Sequence, residues 1–287
     1  MKFNKYFTMA AAALALVACD KNNDDFNIDN TKDTPITIAS AGVAELTTRV
    51  ITDDNKLVGT SDIPVTMSVF ITSRSSETKY QATNAKWEHN GVSWVSETNV
   101  LYEGTNSTQK IYACSPYTTV TDNNISVTAA DQIDWLVTTS NSLTSNDVNL
   151  TMTHALAKLV LKPTYGTELT SQTIASVEVG GMYVSGKLDI SDNSWDLGDS
   201  PATTELTMTN NELLVIPMAP CTSFPIIITM SDGRKFTADI SLAGVNKKLA
   251  SGYQYNIALQ VGQDKMTLGS ITASPWGYAA GGVLETE

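Results

Sequence analysis

Alternation of apolar and polar residues is the feature that most constrains this chain. In "IPVTMSVFI", every second position from Ile63 to Ile71 is apolar, which is the period of a strand with one buried face. The segment "IIITMSDGRKFTADI" has strand-like residues on both sides of Asp232-Gly233, a dipeptide typical of a hairpin turn. No segment shows a sustained helical period, so the sequence predicts an all-β fold.

Short strand-like segments recur along the rest of the chain and are bounded by turn residues. They are 34–45, 109–113, 133–139, 148–153, 156–162, 174–179, 183–190, 204–209, 212–217 and 253–261. Many short strands at regular spacing are typical of β-sandwiches. A polar stretch at 142–149 divides the chain into halves of ordinary domain size. We therefore predict an N-terminal sandwich over 34–147 and a C-terminal sandwich over 148–287.

One hairpin has a register that can be predicted. The segment "KWEHNGVSWV" has Asn-Gly at its centre, the usual residues of a two-residue turn. Counting outward from that turn pairs Trp87 with Trp94 across the ladder, a favourable cross-strand contact. His89 borders the turn, so we expect its side chain to be exposed.

The N-terminus is typical of an exported protein. Lys2 and Lys5 precede an apolar run over 7–17, which is shorter than the roughly 20 residues of a membrane-spanning helix and fits a secretory signal. It ends in "LVAC", which resembles a bacterial lipobox. We interpret 1–18 as a lipoprotein signal peptide and Cys19 as the residue that carries acyl chains such as palmitate, which anchor the protein to a membrane. The alternative is an ordinary signal with a chance cysteine.

Acidic and amide residues follow the cysteine, and residues 19–33 have the composition of a polar, flexible linker. An acidic stretch at this place also resembles surface-export signals of some Gram-negative lipoproteins. The formal net charge of the whole chain is −12, which opposes binding to nucleic acid or to anionic membrane surfaces.

The sequence contains no pattern that points to catalysis, a metal or a cofactor. A metal site needs clustered ligands at set spacings, and the two histidines, His89 and His154, are far apart in the sequence. We expect His154 to be a packing or hydrogen-bonding residue. No Gly-x-Ser-x-Gly motif occurs, so we predict that the protein is not an enzyme. Cys114 and Cys221 could form a disulfide, but two cysteines are no disulfide framework, and we favour buried free thiols.

Several short motifs, in order, resemble the fimbrillin family, the subunits of type V pili. They follow the lipobox as "AELTTRVI", "IYACSPY", "DWLVTT", "LTMTHALAKLVLKP", "LLVIPMAP", "SGYQYNIALQV" and "ITASPWG". The resemblance implies two tandem β-sandwich domains of the transthyretin-like type. It also implies that the subunit reaches the outer membrane and cell surface as a lipoprotein, and that an arginine-specific protease then removes the lipidated segment with the first strand. A strand from another pilus subunit fills the vacated groove, and the fimbria that results serves adhesion and biofilm formation.

On this resemblance, the removable strand is "TPITIASAGVAE" at 34–45, and the cleavage site is the bond between Arg49 and Val50. Arg74 is the competing site, but it follows the patterned strand 63–71, and exposed loops are cut more readily than strands.

The rank of the subunit and one alternative function stay open. Few residues follow Trp276, so a donor strand from 266–278 would have to leave its own domain, which favours a tip or minor subunit over a stalk subunit. The alternative is a surface-anchored lipoprotein that binds glycans and does not polymerise. Its aromatic platform would come from the tryptophans, which are Trp87, Trp94, Trp135, Trp195 and Trp276.

Overall fold

The structure, a computed structural model, describes residues 31–43, 56–59, 65–167, 173–198, 200–263 and 265–276. Helical structure in these ranges is limited to 3₁₀ turns at Thr78–Tyr80, Ala129–Asp131 and Ala243–Val245, so the prediction of an all-β fold is confirmed. The strands are β1 (Thr37–Val43), β2 (Val65–Thr72), β3 (Ala82–His89), β4 (Trp94–Ser96), β5 (Lys110–Ser115), β6 (Asn124–Thr128), β7 (Leu136–Ser142), β8 (Asp147–His154), β9 (Ala157–Tyr165), β10 (Ile174–Val179), β11 (Ser185–Asp189), β12 (Ser194–Leu197), β13 (Leu206–Thr207), β14 (Glu212–Val215), β15 (Ser223–Met230), β16 (Lys235–Ser241), β17 (Tyr253–Val261) and β18 (Met266–Pro275).

The described strands form four sheets. The largest has the order β1-β8-β7-β5-β2-β3-β4. The later part of the chain forms two sheets with the orders β13-β10-β15-β16 and β14-β9-β17-β18, while β6 joins β11 and β12 in a small third sheet. The first strand, β1, and the last, β18, each lie at the edge of a sheet.

Two apolar core clusters flank the seven-stranded sheet. Val69 and Phe70 are consecutive residues of β2, yet Val69 belongs to one cluster and Phe70 to the other. Ala113 and Cys114 of β5 divide in the same way. Because successive side chains of a strand point to opposite faces, the centre of this sheet is buried on both sides. The larger cluster includes buried residues of the two C-terminal sheets, and the smaller one includes buried residues of β1 and β3.

The division into domains at 147/148 stays a prediction. The described residues all belong to one compact unit, and the seven-stranded sheet contributes to both clusters. β8 pairs with β1 and β7, so strand pairing would place a boundary after His154 rather than before β8.

The register predicted for the β3–β4 hairpin is wrong. His89 pairs with Trp94, and Trp87 pairs with Ser96. The Asn90 side chain accepts hydrogen bonds from the backbone N–H groups of the two residues before Trp94, which closes a four-residue turn instead of a two-residue turn.

The prediction that His89 is exposed is also wrong. Its Nδ1 accepts hydrogen bonds from Gly59 N and Gly91 N, both at 3.2 Å, and its ring packs edge-on against Trp94. The turn at Asp232-Gly233 is confirmed, since Met230 N bonds to Arg234 O and β15 pairs with β16 around it.

Candidate functional site

The first strand of the structure, β1, pairs with β8 in parallel at the edge of the seven-stranded sheet. The ladder joins 37–43 to 147–152, and one extra residue, Ala39, forms a bulge between Ile38 and Ser40. The Ser40 hydroxyl donates to Asn149 Oδ1 at 2.5 Å across a sequence separation of 109 residues. Since β1 is far in sequence from its partner, its departure would break no hairpin.

A second backbone edge holds the residues just before β1. Asp33 N donates to Tyr102 O, Tyr102 N donates to Thr34 O, and Ile36 N donates to Val100 O, each at 2.8 Å. One continuous segment, residues 33–43, is therefore paired first with 100–102 and then with β8.

Four side chains of this segment point into the smaller core cluster. Ile36, Ile38, Ala41 and Val43 are between 1% and 5% exposed. Full burial of a Val or Ile side chain is worth roughly 1.5–3 kcal/mol. Removal of the segment would therefore leave an apolar groove between the backbone edges of 100–102 and β8.

A group of polar side chains, which we call the Asp33 clamp, holds the start of the segment; Tyr80 in it is buried, whereas Asp33, Lys79 and Glu77 are exposed. The Tyr80 hydroxyl donates to Asp33 Oδ1 at 2.7 Å, and Lys79 Nζ lies 3.1 Å from the same oxygen. The hydrogen bond from Tyr80, and after it the one from Lys79, lowers the pKa of Asp33. Lys79 Nζ also lies 3.1 Å from Glu77 Oε2. Exposed pairs of this kind add little stability, so the clamp mainly positions the chain.

Behind the 100–102 edge lies Gln109, whose side chain is fully buried. Its Nε2 donates to Tyr80 O and Leu101 O, and its Oε1 accepts from Glu103 N, all at 2.8 Å. Gln109 thus fixes the backbone that receives residues 33–36. Sequence reasoning missed this residue, because a single Gln beside a Lys looks like an ordinary surface position.

The far end of β1 leads toward the predicted processing site. Ala41 O accepts a hydrogen bond from Leu57 N at 2.8 Å, so 56–59 returns to the end of β1. The connection between them contains Arg49 and Val50, which lie outside the described residues, as does Cys19. The predicted strand 34–45 contains β1.

The competing site, Arg74, lies two residues after the end of β2 and is exposed. Its backbone N–H donates to Thr108 Oγ1 at 3.0 Å. Cleavage there would also detach β2, which pairs with both β3 and β5 near the middle of the sheet. A cut after Arg74 would therefore sever a strand in the middle of this sheet from the rest of the chain.

An open cleft of about 670 Å³ lies between β7 and β8. These two strands pair only at Leu136 with His154 and at Val137 with Thr153. The cleft is lined by Thr, Ser, Asn and aliphatic residues and by no charged side chain. Among the described strands, residues 147–152 of β8 therefore have only β1 as a ladder partner.

The last described strand, β18, is also an edge strand, but it is held differently. It pairs with β17 alone, and Met266, Leu268 and Ile271 are half-buried against the larger core cluster. Its ladder is interrupted opposite Ala258, so β18 carries a bulge after Leu268. The Cβ of Ala258 lies 2.9 Å from where a Cβ on Gly269 would be.

The tryptophans form no open platform. Trp87, Trp94 and Trp135 are 5%, 7% and 6% exposed, and Trp195 and Trp276 are half-buried. Glycan binding by aromatic stacking requires accessible ring faces, so at least the first three are packing residues, as Trp commonly is.

The remaining candidate groups are buried and structural. His154 Nδ1 lies 2.8 Å from Asp134 Oδ1, which confirms that His154 is a hydrogen-bonding residue. Cys114 and Cys221 are buried free thiols, as predicted, and burial raises the pKa of Cys114 to about 12. In the described ranges, no group of three or more His, Cys, Asp or Glu side chains could hold a metal ion, and no helix is long and apolar enough to span a membrane.

Comparison with known sequences gives one family. The family model described as fimbrillin-like matches residues 48–276. No curated protein matches the sequence significantly.

Solved structures of low sequence identity share the fold. A candidate cell-adhesion protein from Bacteroides uniformis is 17% identical, with a TM-score of 0.65, covering 84% of this chain and 99% of that one. A candidate cell-adhesion protein from Bacteroides ovatus is 15% identical, with a TM-score of 0.65, covering 85% and 98%. A fimbrial protein from Bacteroides vulgatus is 13% identical, with a TM-score of 0.52, covering 84% and 99%.

Proposed function

Because this chain belongs to the fimbrillin-like family, we propose that it is a subunit of a cell-surface pilus that assembles by strand exchange. In this proposal it is exported as a lipoprotein through Cys19 and matured by an arginine-specific protease that cuts between Arg49 and Val50. The observation that carries the proposal is the construction of β1, an edge strand that fills an apolar groove and is remote in sequence from its partner strand.

Before cleavage, β1 acts as a plug. It covers a backbone edge that would otherwise be open to another chain. Cleavage after Arg49 separates the plug and the lipidated Cys19 together from the rest of the protein, since both lie before the cut. The groove then offers the 100–102 edge, β8 and apolar pockets. These are the elements of β-augmentation, in which backbone bonds give affinity and alternate side chains give specificity.

The sequence of β18 supports it as the incoming strand. The segment "MTLGSITA" at 266–273 has the same spacing of apolar residues as "ITIASAGV" at 36–43. The matching positions are Ile36 with Met266, Ile38 with Leu268, Ala41 with Ile271, and Val43 with Ala273.

The two segments also share a backbone irregularity. Both carry a bulge between the second and third apolar positions, at Ala39 in β1 and at 269–270 in β18. A bulge shifts which residues face the core, so a donor without it would turn half of its side chains outward. The summed size of the four apolar side chains differs by only about one heavy atom, and such volume-conserving changes are tolerated best.

This match bears on the rank of the subunit. The expectation of a tip or minor subunit assumed that β18 stays in its own sheet. However, β18 is a half-buried edge strand with one ladder partner, and in the groove it would gain fuller burial and a second backbone edge. We therefore favour a polymerising subunit that both receives and donates a strand.

The decisive experiment is proteolysis of the purified lipid-free protein with an arginine-specific protease. We expect a new N-terminus at Val50 and ladders of SDS-resistant oligomers that grow with protein concentration. Arg49→Ala should abolish both. Arg74→Ala is the matched control and should behave like the wild type.

Two results would contradict the proposal. One is normal processing and assembly of Arg49→Ala. The other is a cleaved protein that stays monomeric at every concentration, and binding of that monomer to glycans would support the anchored glycan-binding alternative. Electron microscopy of surface fibres on cells with and without this chain tests the pilus role and outer-membrane location directly.

A further inference from the structure

The end of β18 is fixed to the end of β8 by two stacked rings. Trp276 follows the last residue of β18, and its ring lies on His154, the last residue of β8, with centroids 3.6 Å apart and planes 8° from parallel. Trp276 N also donates to Gly252 O at 2.7 Å. The plug site and the candidate donor strand are therefore in direct contact through these two side chains.

His154 is held in a fixed orientation. Its side chain is 1% exposed, and since a carboxylate only accepts, Nδ1–H donates to Asp134 Oδ1 at 2.8 Å. The other ring nitrogen, Nε2, is buried without a hydrogen-bond partner among the described residues. Removing Trp276 would therefore uncover a buried ring whose position depends on β8.

The indole ring of Trp276 has a second neighbour. Lys158 Nζ lies 5.6 Å from the ring centroid, within the range of a cation–π contact, and 2.7 Å from Glu212 Oε2. The end of β18 is thus fixed by side chains of β8 and β9, whereas the body of the strand is half-buried.

The position of β8 depends on the plug. Residues 147–152 pair with β1, and on the other side the cleft separates them from β7. If β1 leaves, the described structure ties β8 into its sheet only through Thr153 and His154. His154 itself stays paired with Leu136, so movement of 147–152 after plug release would act on its ring through the neighbouring residue Thr153.

We propose that the Trp276–His154 stack is a latch that keeps β18 in its own sheet while β1 fills the groove, and that loss of β1 loosens it. This inference rests on the proposed function and adds regulation to it. Without the latch, a subunit that still carries its plug could donate β18 but could not accept a strand, so its addition would end a growing fibre. The latch makes a subunit a donor only after it has become an acceptor.

The first test uses tagged Arg49→Ala protein, which retains the plug, mixed with cleaved wild-type protein. We expect little SDS-resistant attachment of the tagged protein. Adding Trp276→Ala to Arg49→Ala should raise attachment by about three- to tenfold, the range that an aromatic stack is worth. Trp276→Phe keeps a stacking ring and should restore low attachment. Tyr117→Ala removes an exposed aromatic residue elsewhere and is the matched control.

Equal attachment of the Arg49→Ala protein with and without Trp276→Ala would overturn the latch. If the cleaved wild-type protein forms no ladder by itself, the proposed function fails, and that outcome is separate. A second measurement needs no assembly, namely amide hydrogen exchange of β18 before and after plug removal, at a protein concentration too low for oligomers. Faster exchange after removal supports the coupling, and unchanged exchange overturns it.

Discussion

β1 and β18 have nearly the same pattern of side chains but different surroundings. The inward residues of β1 are fully buried, and its segment pairs with two backbone edges and is clamped at Asp33. In β18, Met266, Leu268 and Ile271 are half-buried and Ala273 is exposed, and the strand has one ladder partner and the Trp276 stack. Apolar pattern and bulge position thus determine which groove a strand fits, while its neighbours determine how firmly it is held.

This difference gives strand exchange a direction. Burial and backbone pairing are the main terms that favour a strand in a sheet, and both are larger in the β1 groove. A strand of the β18 type should therefore prefer that groove once it is empty, and should stay at its own edge while the groove is full.

The largest expected effect comes from a charge at equivalent positions of the two strands. Ile38→Asp would bury a carboxylate without a partner, and we expect the free energy of unfolding of the uncleaved protein to fall by more than about 3 kcal/mol. Leu268→Asp, the matched change in β18, can turn its carboxylate to solvent and should cost about 1 kcal/mol. Denaturant titration of both variants measures the difference. Equal losses would mean that β1 is held no more firmly than β18.

A smaller effect tests whether the groove fits the donor side chains. Ala41→Ile places the residue of β18 at the third position of β1, and overpacking should destabilise the protein by about 1–3 kcal/mol. Adding Val43→Ala reproduces the donor at both positions and brings the total volume back to within about one heavy atom, so we expect most of the stability to return. The midpoint of thermal unfolding of the single and double variants is the measurement. If the double variant is no more stable than Ala41→Ile alone, the volume match between the strands is accidental.

Period-two alternation was enough to predict the fold class and most strands, because a strand with one buried face alternates apolar and polar residues in the sequence. β6 and the short β12 were missed as strands, and β18, which has few bulky residues, was considered only as a donor strand within 266–278. The β3–β4 register failed because the Asn90 side chain closes a longer turn than Asn-Gly usually forms. Turn geometry set by one side chain is not visible in the alternation of the flanking strands.

The candidate site was predictable only in part. The segment 34–45 could be identified from its pattern and from the resemblance, but the 100–102 edge and Gln109 are defined by contacts distant in sequence. The similarity between 36–43 and 266–273 is too short to be recognised as a repeat in the sequence. It becomes informative only in the structure, where both segments carry a bulge at the corresponding position. Cys19, Arg49 and Val50 stay predictions.

A substitution at the bulge of β18 should affect this strand differently in its own sheet and in the groove. Gly269→Ala places a Cβ 2.9 Å from Ala258 Cβ, whereas the matching residue of β1 is Ala39, which is exposed in the groove. The substitution should therefore weaken β18 at its own edge, by about 1 kcal/mol, and leave its fit to the groove intact. We expect faster assembly of the cleaved protein, measured by the rate of ladder formation.

Ala258→Gly removes the opposing Cβ and is the matched compensating change. In the Gly269→Ala background it should bring the assembly rate back toward that of the wild type. Slower assembly of Gly269→Ala alone would show instead that the bulge of β18 does not tolerate a side chain in the groove, and the comparison with β1 would fail at that position.

The smallest effect is expected at the Asp33 clamp, which β18 lacks. Hydrogen bonds from Tyr80 and Lys79 hold the pKa of Asp33 below its ordinary value of 3.8. The ionised Asp33 carboxylate therefore stabilises the folded protein fully above pH 3.8. This stabilisation is lost as the pH falls from 3.8 through the lower pKa that Asp33 has in the folded protein. Asp33→Asn should speed release of the plug from cleaved protein at pH 7 by less than about threefold, and this effect should shrink as the pH falls below 3.8.

Release can be followed by the loss of a label on the N-terminal fragment. Glu77→Gln is the matched control, because Glu77 contacts Lys79 but not the plug, and it should leave the rate unchanged. If Asp33→Asn slows release, or if its effect persists undiminished at pH 3, the ionised Asp33 carboxylate does not help to hold β1. The firmer hold on β1 than on β18 would then come from burial and backbone pairing alone.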